Sequence, residues 1–161
     1  MALKILILED NEERQEAMRA CLAKRFYQYE AKFFESAAEM IRYLEDSLDE
    51  ALAISLDHDL EMKPNPAGGW SDPGTGRDVA DLLAGKVPIC PVLISTTNVP
   101  AAVGMERVLR QARWQTYRVL PFNDLEWVAT DWFPTMRRAI VSAAQTTVSS
   151  MKPHACEEGS P

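Results

Sequence analysis

The sequence predicts a doubly wound α/β fold built on a five-stranded parallel sheet, and three observations carry that expectation. Short aliphatic runs such as LKILIL (3–8) and PVLIS (91–95) are apolar at nearly every position, as strands buried on both faces are. Segments with helical apolar spacing lie between these runs. The alternation repeats five times, and helical crossovers between parallel strands place helices on both faces of the sheet, in the expected strand order 2-1-3-4-5. Residues 1–145 are expected to form one α/β domain within a chain of 161 residues.

Each element has its own justification. Residues 3–8 form strand one. Residues 11–26 read as helix one, with Asn11 as N-cap, acids in the first turn, and Lys24 and Arg25 in the last. Residues 31–34 are a short second strand. Ser36-Ala37-Ala38-Glu39 has the pattern of a capping box, and Met40, Ile41 and Leu44 give helix two its apolar face. LAISL (52–56) is strand three and runs into Asp57-His58-Asp59. A short helix over 77–83 stops near Gly85, and 91–95 is strand four. Helix four covers 100–113 with Asn98 as its cap, and strand five covers 116–120, closed by Pro121-Phe122. The last helix spans 125–144, broken or restarted near Pro134, with Trp127 and Trp132 as packing residues. From about 146 to 161 the periodicity is lost and Ser, Pro and Glu accumulate, as in a disordered tail.

Residues 61–76 (EMKPNPAGGWSDPGTG) break the economy of the pattern, with four of the seven glycines and three of the ten prolines. Connections in α/β units usually run about 2–6 residues, so an irregular stretch of this length is functional or disordered. It follows strand three at the sheet edge where open α/β folds bind ligands. It reads either as a lid carrying Trp70 or as a tolerated surface insertion. Glycine backbone here, at Thr75-Gly76 above all, can approach a phosphate closely. No lysine follows Gly76, so this is not a P-loop.

Composition narrows the chemistry. Apolar residues at 47% and charged residues at 25% describe an ordinary globule. A net charge of -7 excludes a general DNA-binding coat, which needs a basic footprint. Cys21, Cys90 and Cys156 form neither a CxxC pair nor a zinc pattern, so they are expected as free thiols in a reducing compartment. The apolar start is too short for a signal peptide, and no run approaches the roughly 20 residues of a membrane span. The expected setting is cytoplasmic, with no membrane partner.

The chemistry gathers at three strand ends. Glu9-Asp10 ends strand one, Asp57-His58-Asp59 ends strand three, and Ser95-Thr96-Thr97-Asn98 ends strand four. Adjacent strands would bring these ends to one crevice. Carboxylates gathered there repel, and a hard divalent cation, Mg²⁺ or Mn²⁺, relieves the repulsion. Alternatively one acid is a nucleophile that forms an aspartyl phosphate. Ser95, Thr96 and Asn98 would then hydrogen-bond phosphoryl oxygens. Taken singly, each acid also fits a helix cap or a solvated loop. His58 fits a general acid/base near neutral pH, or a residue capping the sheet against a helix. Arg107, Arg110 and Arg113 recur at helical spacing as a solvated face or a phosphate contact.

Together, KILILEDN, ISLDHDL, PVLISTTN and YRVLPF resemble a response-regulator receiver domain. The resemblance implies Glu9 and Asp10 as the acidic pair binding Mg²⁺, Asp57 as phosphoacceptor, and Thr96 as the hydroxyl residue after strand four. A receiver's lysine before the proline of strand five is replaced here by Leu120. A closer resemblance is to the cyclic-phosphate-processing receiver-like family. It is carried by Leu56-Asp57-His58-Asp59-Leu60, by Thr75-Gly76, and by Thr96, Asn98 and Met105. It covers roughly residues 3–122. It implies a flavodoxin-like, receiver-like fold and a phosphate-bearing substrate such as an RNA end; taken with the acids at the strand ends, the expected metal ligands are Glu9, Asp10, Asp57 and Asp59. Catalytic roles fall to Asp57, His58, Thr96 and Asn98, with Thr75, Gly76 and Ser95 near the phosphate. The family's histidine just before its serine is Ser95 here, leaving His58 or water as acid/base. The alternatives are a stand-alone receiver phosphorylated at Asp57 by a histidine kinase, and a pseudo-receiver that binds without turnover.

Overall fold

A computed structural model describes residues 2–150 of the chain. The first half runs β1 (Lys4–Leu8), α1 (Glu12–Ala23), β2 (Glu30–Phe34), α2 (Ala37–Ser47) and β3 (Ala51–Leu56). A small insertion follows with β4 (Lys63–Pro64) and β5 (Trp70–Ser71), before α3 (Gly76–Ala84). The chain closes with β6 (Val92–Ser95), α4 (Val99–Gln111), β7 (Thr116–Val119) and α5 (Phe133–Ser150). The five long strands are parallel in the order β2-β1-β3-β6-β7. Counting these alone, this is the expected flavodoxin-like order.

Alternation along buried strands divides the core in two. Leu6, Leu8, Ile54, Leu56, Val92 and Ile94 pack under α2, α3 and α4, against Met40, Leu44, Leu83 and Met105. Ile5, Ile7, Ala53 and Leu93 face α1 and α5, against Met18, Leu22, Trp132 and Met136. Both faces are covered, which is why these strands read as continuous aliphatic runs.

Several boundaries differ from the sequence expectation, each for a local reason. Helix α1 stops at Ala23 and Lys24 caps it, so Lys24 and Arg25 lie beyond its last turn. Helix α4 stops at Gln111 because Arg113 is left-handed (φ 67). The Trp114 N–H reaches back to Leu109 O and the Arg113 N–H to Arg110 O, a Schellman closure. The closure buries Trp114, whose indole N–H donates to Leu83 O at 2.8 Å. Segment 61–76 is not wholly irregular. Pro64 pairs with Trp70 in an antiparallel hairpin, and Asn65 Oδ1 accepts from the Ala67 and Gly69 N–H groups, both at 3.0 Å. Two-residue strands are too short to show alternation in a sequence. Before α5, residues Val128–Trp132 form a π-turn, and the Phe133 N–H bonds back to Val128 O. Pro134, lacking an N–H, cannot continue the ordinary ladder there. Helix α5 then runs to Ser150, past the expected start of the tail at 146. The remainder of that tail, with His154 and Cys156, lies outside the described residues. Among the described residues no helix is long and apolar enough to cross a membrane. Cys21 and Cys90 are free and buried, and burial pushes the Cys90 thiol up to about 12.

Candidate functional site

Registration of the central strands builds the site. Leu8 pairs with Leu56 and Leu56 with Ile94, so the residues that follow all emerge at one carboxyl edge. There the carboxylates of Glu9, Asp10 and Asp57 offer oxygens within 4.8 Å of one another. Backbone N–H groups hold one oxygen of each of the three. Asn11 N–H donates to Glu9 Oε1 at 3.0 Å, His58 N–H to Asp57 Oδ1 at 2.6 Å, and Glu61 N–H to Asp10 Oδ2 at 2.5 Å. Gln15 Nε2 fixes the Glu9 carbonyl at 2.7 Å. Glu9 Oε2 is left buried with no hydrogen bond.

Two of these acids are deeply buried, Glu9 at 1% and Asp57 at 4% exposure. Burial, with the charge of Glu9 beside it, pushes the Asp57 carboxyl up to about 7. Burial likewise raises Glu9. One cation answers them. Arg14, in the first turn of α1, places Nη1 3.6 Å from Asp57 Oδ2 and 3.7 Å from Glu9 Oε2. Its guanidinium lies over the buried Trp127 ring, 5.7 Å from the centroid. The donor set is all oxygen, clustered, half desolvated and short of positive charge, with one buried oxygen unsatisfied. That combination fits a hard divalent cation such as Mg²⁺ or Mn²⁺.

The facing wall comes from the ends of β3 and β6. Asp59 is exposed and stands outside the three-acid cluster. It accepts from Thr96 Oγ1 and Asn98 Nδ2, both long contacts of 3.4 Å. Asn98 also caps α4, its Oδ1 accepting from the Ala101 N–H at 3.1 Å. Asp10, Arg14, Asp57, Asp59 and Thr96 all line one crevice of about 160 Å³. A crevice of this size has room for an ion and a phosphate group. The roomier groove of about 450 Å³ between β2 and α2 gathers no comparable acid cluster among the described residues.

The other expected site residues sit just behind this wall. The His58 imidazole is mostly buried, with Nε2 3.9 Å from Asp59 Oδ1 and Nδ1 buried without a hydrogen bond. It does not line the crevice. Thr75 caps α3, its N–H and hydroxyl both donating to the Asp78 carboxylate at 2.8 and 3.1 Å. Gly76 is buried against the backbone after β3. A Cβ there would collide with the Asp57 carbonyl oxygen, so Thr75-Gly76 lets α3 press against the acid-bearing turn. Ser95 is buried as the last residue of β6, off the crevice lining. Trp70 is 65% exposed on the hairpin, also away from that lining, and Arg107, Arg110 and Arg113 do not reach it.

Two lining residues escape a reading of the sequence, Arg14 and Glu61. Arg14 carries a usable signal. A cation in the first turn opposes the helix dipole, and a neighbouring acid cluster offsets that cost. Glu61 contributes through its backbone N–H, which no side-chain pattern reveals.

The profile of the cyclic-phosphate processing receiver domain matches residues 4–111, two thirds of the chain. No curated protein sequence gives a match. Solved structures share the fold at low identity. The signal receiver domain of a putative Luxo repressor protein from Vibrio parahaemolyticus is 17% identical with a TM-score of 0.66, covering 94% of this chain and 100% of that one. The phosphorylated cyanobacterial phytochrome response regulator RcpA is 15% identical with a TM-score of 0.67, covering 88% of this chain and 96% of its own. The response regulator domain of Thermotoga maritima CheB is 16% identical with a TM-score of 0.58, covering 88% and 98% respectively.

Proposed function

The chain belongs to the family of cyclic-phosphate processing receiver domains, and on that premise we propose that its acidic crevice hydrolyses a cyclic phosphate, such as the 2′,3′-cyclic end of an RNA. The observation that carries the reading is the Glu9–Asp10–Asp57 cluster with its buried, unsatisfied Glu9 oxygen. A divalent cation held by these acids would supply charge neutralisation for the phosphoryl oxygens. Asp57 orients the attacking water and takes its proton as the new bond to phosphorus forms. The bond from phosphorus to one ribose oxygen breaks, and that oxygen leaves with a proton from solvent. Thr96, whose present contact to Asp59 is long, can turn its hydroxyl toward the non-bridging oxygens, and Asn98, held by its cap to α4, presents Nδ2 on the same side. The crevice has room for the phosphate.

The test is conversion of a 2′,3′-cyclic nucleotide to its monoester, followed by chromatography, with Mg²⁺ or Mn²⁺ and with chelator. Wild type should turn over only with the metal. Asp57→Asn should lose about 10²–10⁴-fold, the usual worth of a positioned proton acceptor. Equal rates in both proteins would end this reading.

A second reading, a receiver phosphorylated at Asp57 by a histidine kinase or small phosphodonor, is favoured by the receiver sheet order. Leu120 stands exposed where a receiver's lysine would be. Incubation with a phosphodonor and Mg²⁺ should therefore leave little stable phosphoaspartate by intact mass. A long-lived phosphoryl gain absent from Asp57→Asn would shift the assignment to signalling.

A further inference from the structure

We propose that Arg14 is the phosphoryl-binding cation of the crevice, contacting the anionic oxygens of the substrate phosphate rather than serving only as counter-ion to the buried acids. This rests on the reading that a phosphate enters the crevice.

Three observations support it. Among the described residues that line the crevice, Arg14 is the sole cation, set among Asp10, Asp57, Asp59 and Glu61. An anion entering past four carboxylates needs a positive partner besides any metal. Next, its distances of 3.6 and 3.7 Å to the acids are too long for charge-assisted hydrogen bonds, which close to about 2.7–2.9 Å. The guanidinium sits beside the acids without spending its donors on them. Finally, the guanidinium is braced from below, within cation–π reach of a buried ring. Trp127, only 1% exposed, is a rigid platform for the guanidinium, while the Arg14 side chain keeps 32% of its surface open. A guanidinium fork braced beside a buried ring suits a phosphate better than a mobile ammonium does.

A purely structural counter-ion and an anion-binding arginine respond oppositely to removal. The experiment uses the full chain, with Mn²⁺ alone as one probe. The second probe is a non-hydrolysable 2′,3′-cyclic nucleotide analogue, with methylene in place of the scissile ester oxygen, added at saturating Mn²⁺, each binding measured by titration calorimetry with wild type, Arg14→Gln and Arg14→Lys. Removing the positive charge should tighten Mn²⁺ roughly three- to tenfold, because like-charge repulsion is lost. The same change should weaken the cyclic nucleotide about ten- to hundredfold. Arg14→Lys should recover part of that loss, since lysine restores the charge but not the fork. If Arg14→Gln does not fold, Arg14→Lys decides alone, with a severalfold loss of nucleotide affinity expected. Nucleotide affinity within twofold of wild type in a folded variant would overturn this inference while leaving the proposed function standing. Failure of wild type to bind the nucleotide at all would overturn both.

Discussion

Asp57→Asn is expected to stabilise the metal-free protein at pH 8 while abolishing its chemistry. In the folded protein the Asp57 carboxyl, pushed up to about 7 by burial and by Glu9, keeps a proton that the unfolded chain releases near 3.8. Between those values the folded state binds more protons than the unfolded state, so stability falls as pH rises and does not return above pH 7. The displacement is worth on the order of 4 kcal/mol. Asparagine fills the same space and cannot ionise, so its stability curve lacks this slope. Urea denaturation in chelator at pH 5 and pH 8 reads the difference directly. Wild type should lose a few kcal/mol across that range relative to the variant. Parallel curves would mean that Asp57 is not forced to carry a buried charge.

The second large effect lies in the core between the sheet, α1 and α5. Trp132 is fully buried in the π-turn before α5, and its indole N–H donates to Ser55 Oγ at 2.9 Å. Ser55 is two residues before Asp57 on the strand that carries it. Trp132→Ala deletes a large core side chain and orphans the hydroxyl, at a cost of about 3–5 kcal/mol. Trp132→Phe keeps most of the packing and should cost about 1–3 kcal/mol, chiefly the unpaired Ser55 hydroxyl. Adding Ser55→Ala to Trp132→Phe should then recover part of the loss, as expected of neighbours that share one bond. Denaturation midpoints of wild type, both single variants and the double variant measure this. Strict additivity would show that the indole–serine bond is not what holds β3 against the last helix.

What is legible in the sequence follows from physics that acts locally. Aliphatic runs predict the central strands because both faces of a parallel sheet are buried. Asn11 and Asn98 predict helix starts because side-chain capping is a short-range bond, and both caps are present. The convergence of Glu9, Asp10 and Asp57 follows once the strand order is assumed, since adjacent parallel strands end at one edge. What is not legible depends on the fold itself. Arg14 becomes part of the site only when α1 packs with Trp127 beneath it. Asp59, expected among the metal ligands, turns instead toward Thr96 and Asn98. The chain has left the parallel ladder by then, and Asp59 bridges to Thr75 on the way into the hairpin. Thr75-Gly76 looks like a phosphate-binding turn. In the fold its hydroxyl is taken by Asp78, and its glycine is explained by the Asp57 carbonyl behind it.

Everything functional rests on a divalent cation entering between Glu9, Asp10 and Asp57. Titration of Mn²⁺ into wild type, Glu9→Gln, Asp57→Asn and Asp59→Asn, followed by the loss of the free-ion electron paramagnetic resonance signal, tests that claim most directly. Wild type should bind one ion weakly, as a few carboxylates completed by water do. Glu9→Gln and Asp57→Asn should lose most of that binding, while Asp59→Asn, outside the cluster, should keep it. Binding that survives loss of Asp57, or that disappears equally with Asp59, would contradict a metal site at the end of β1 and β3.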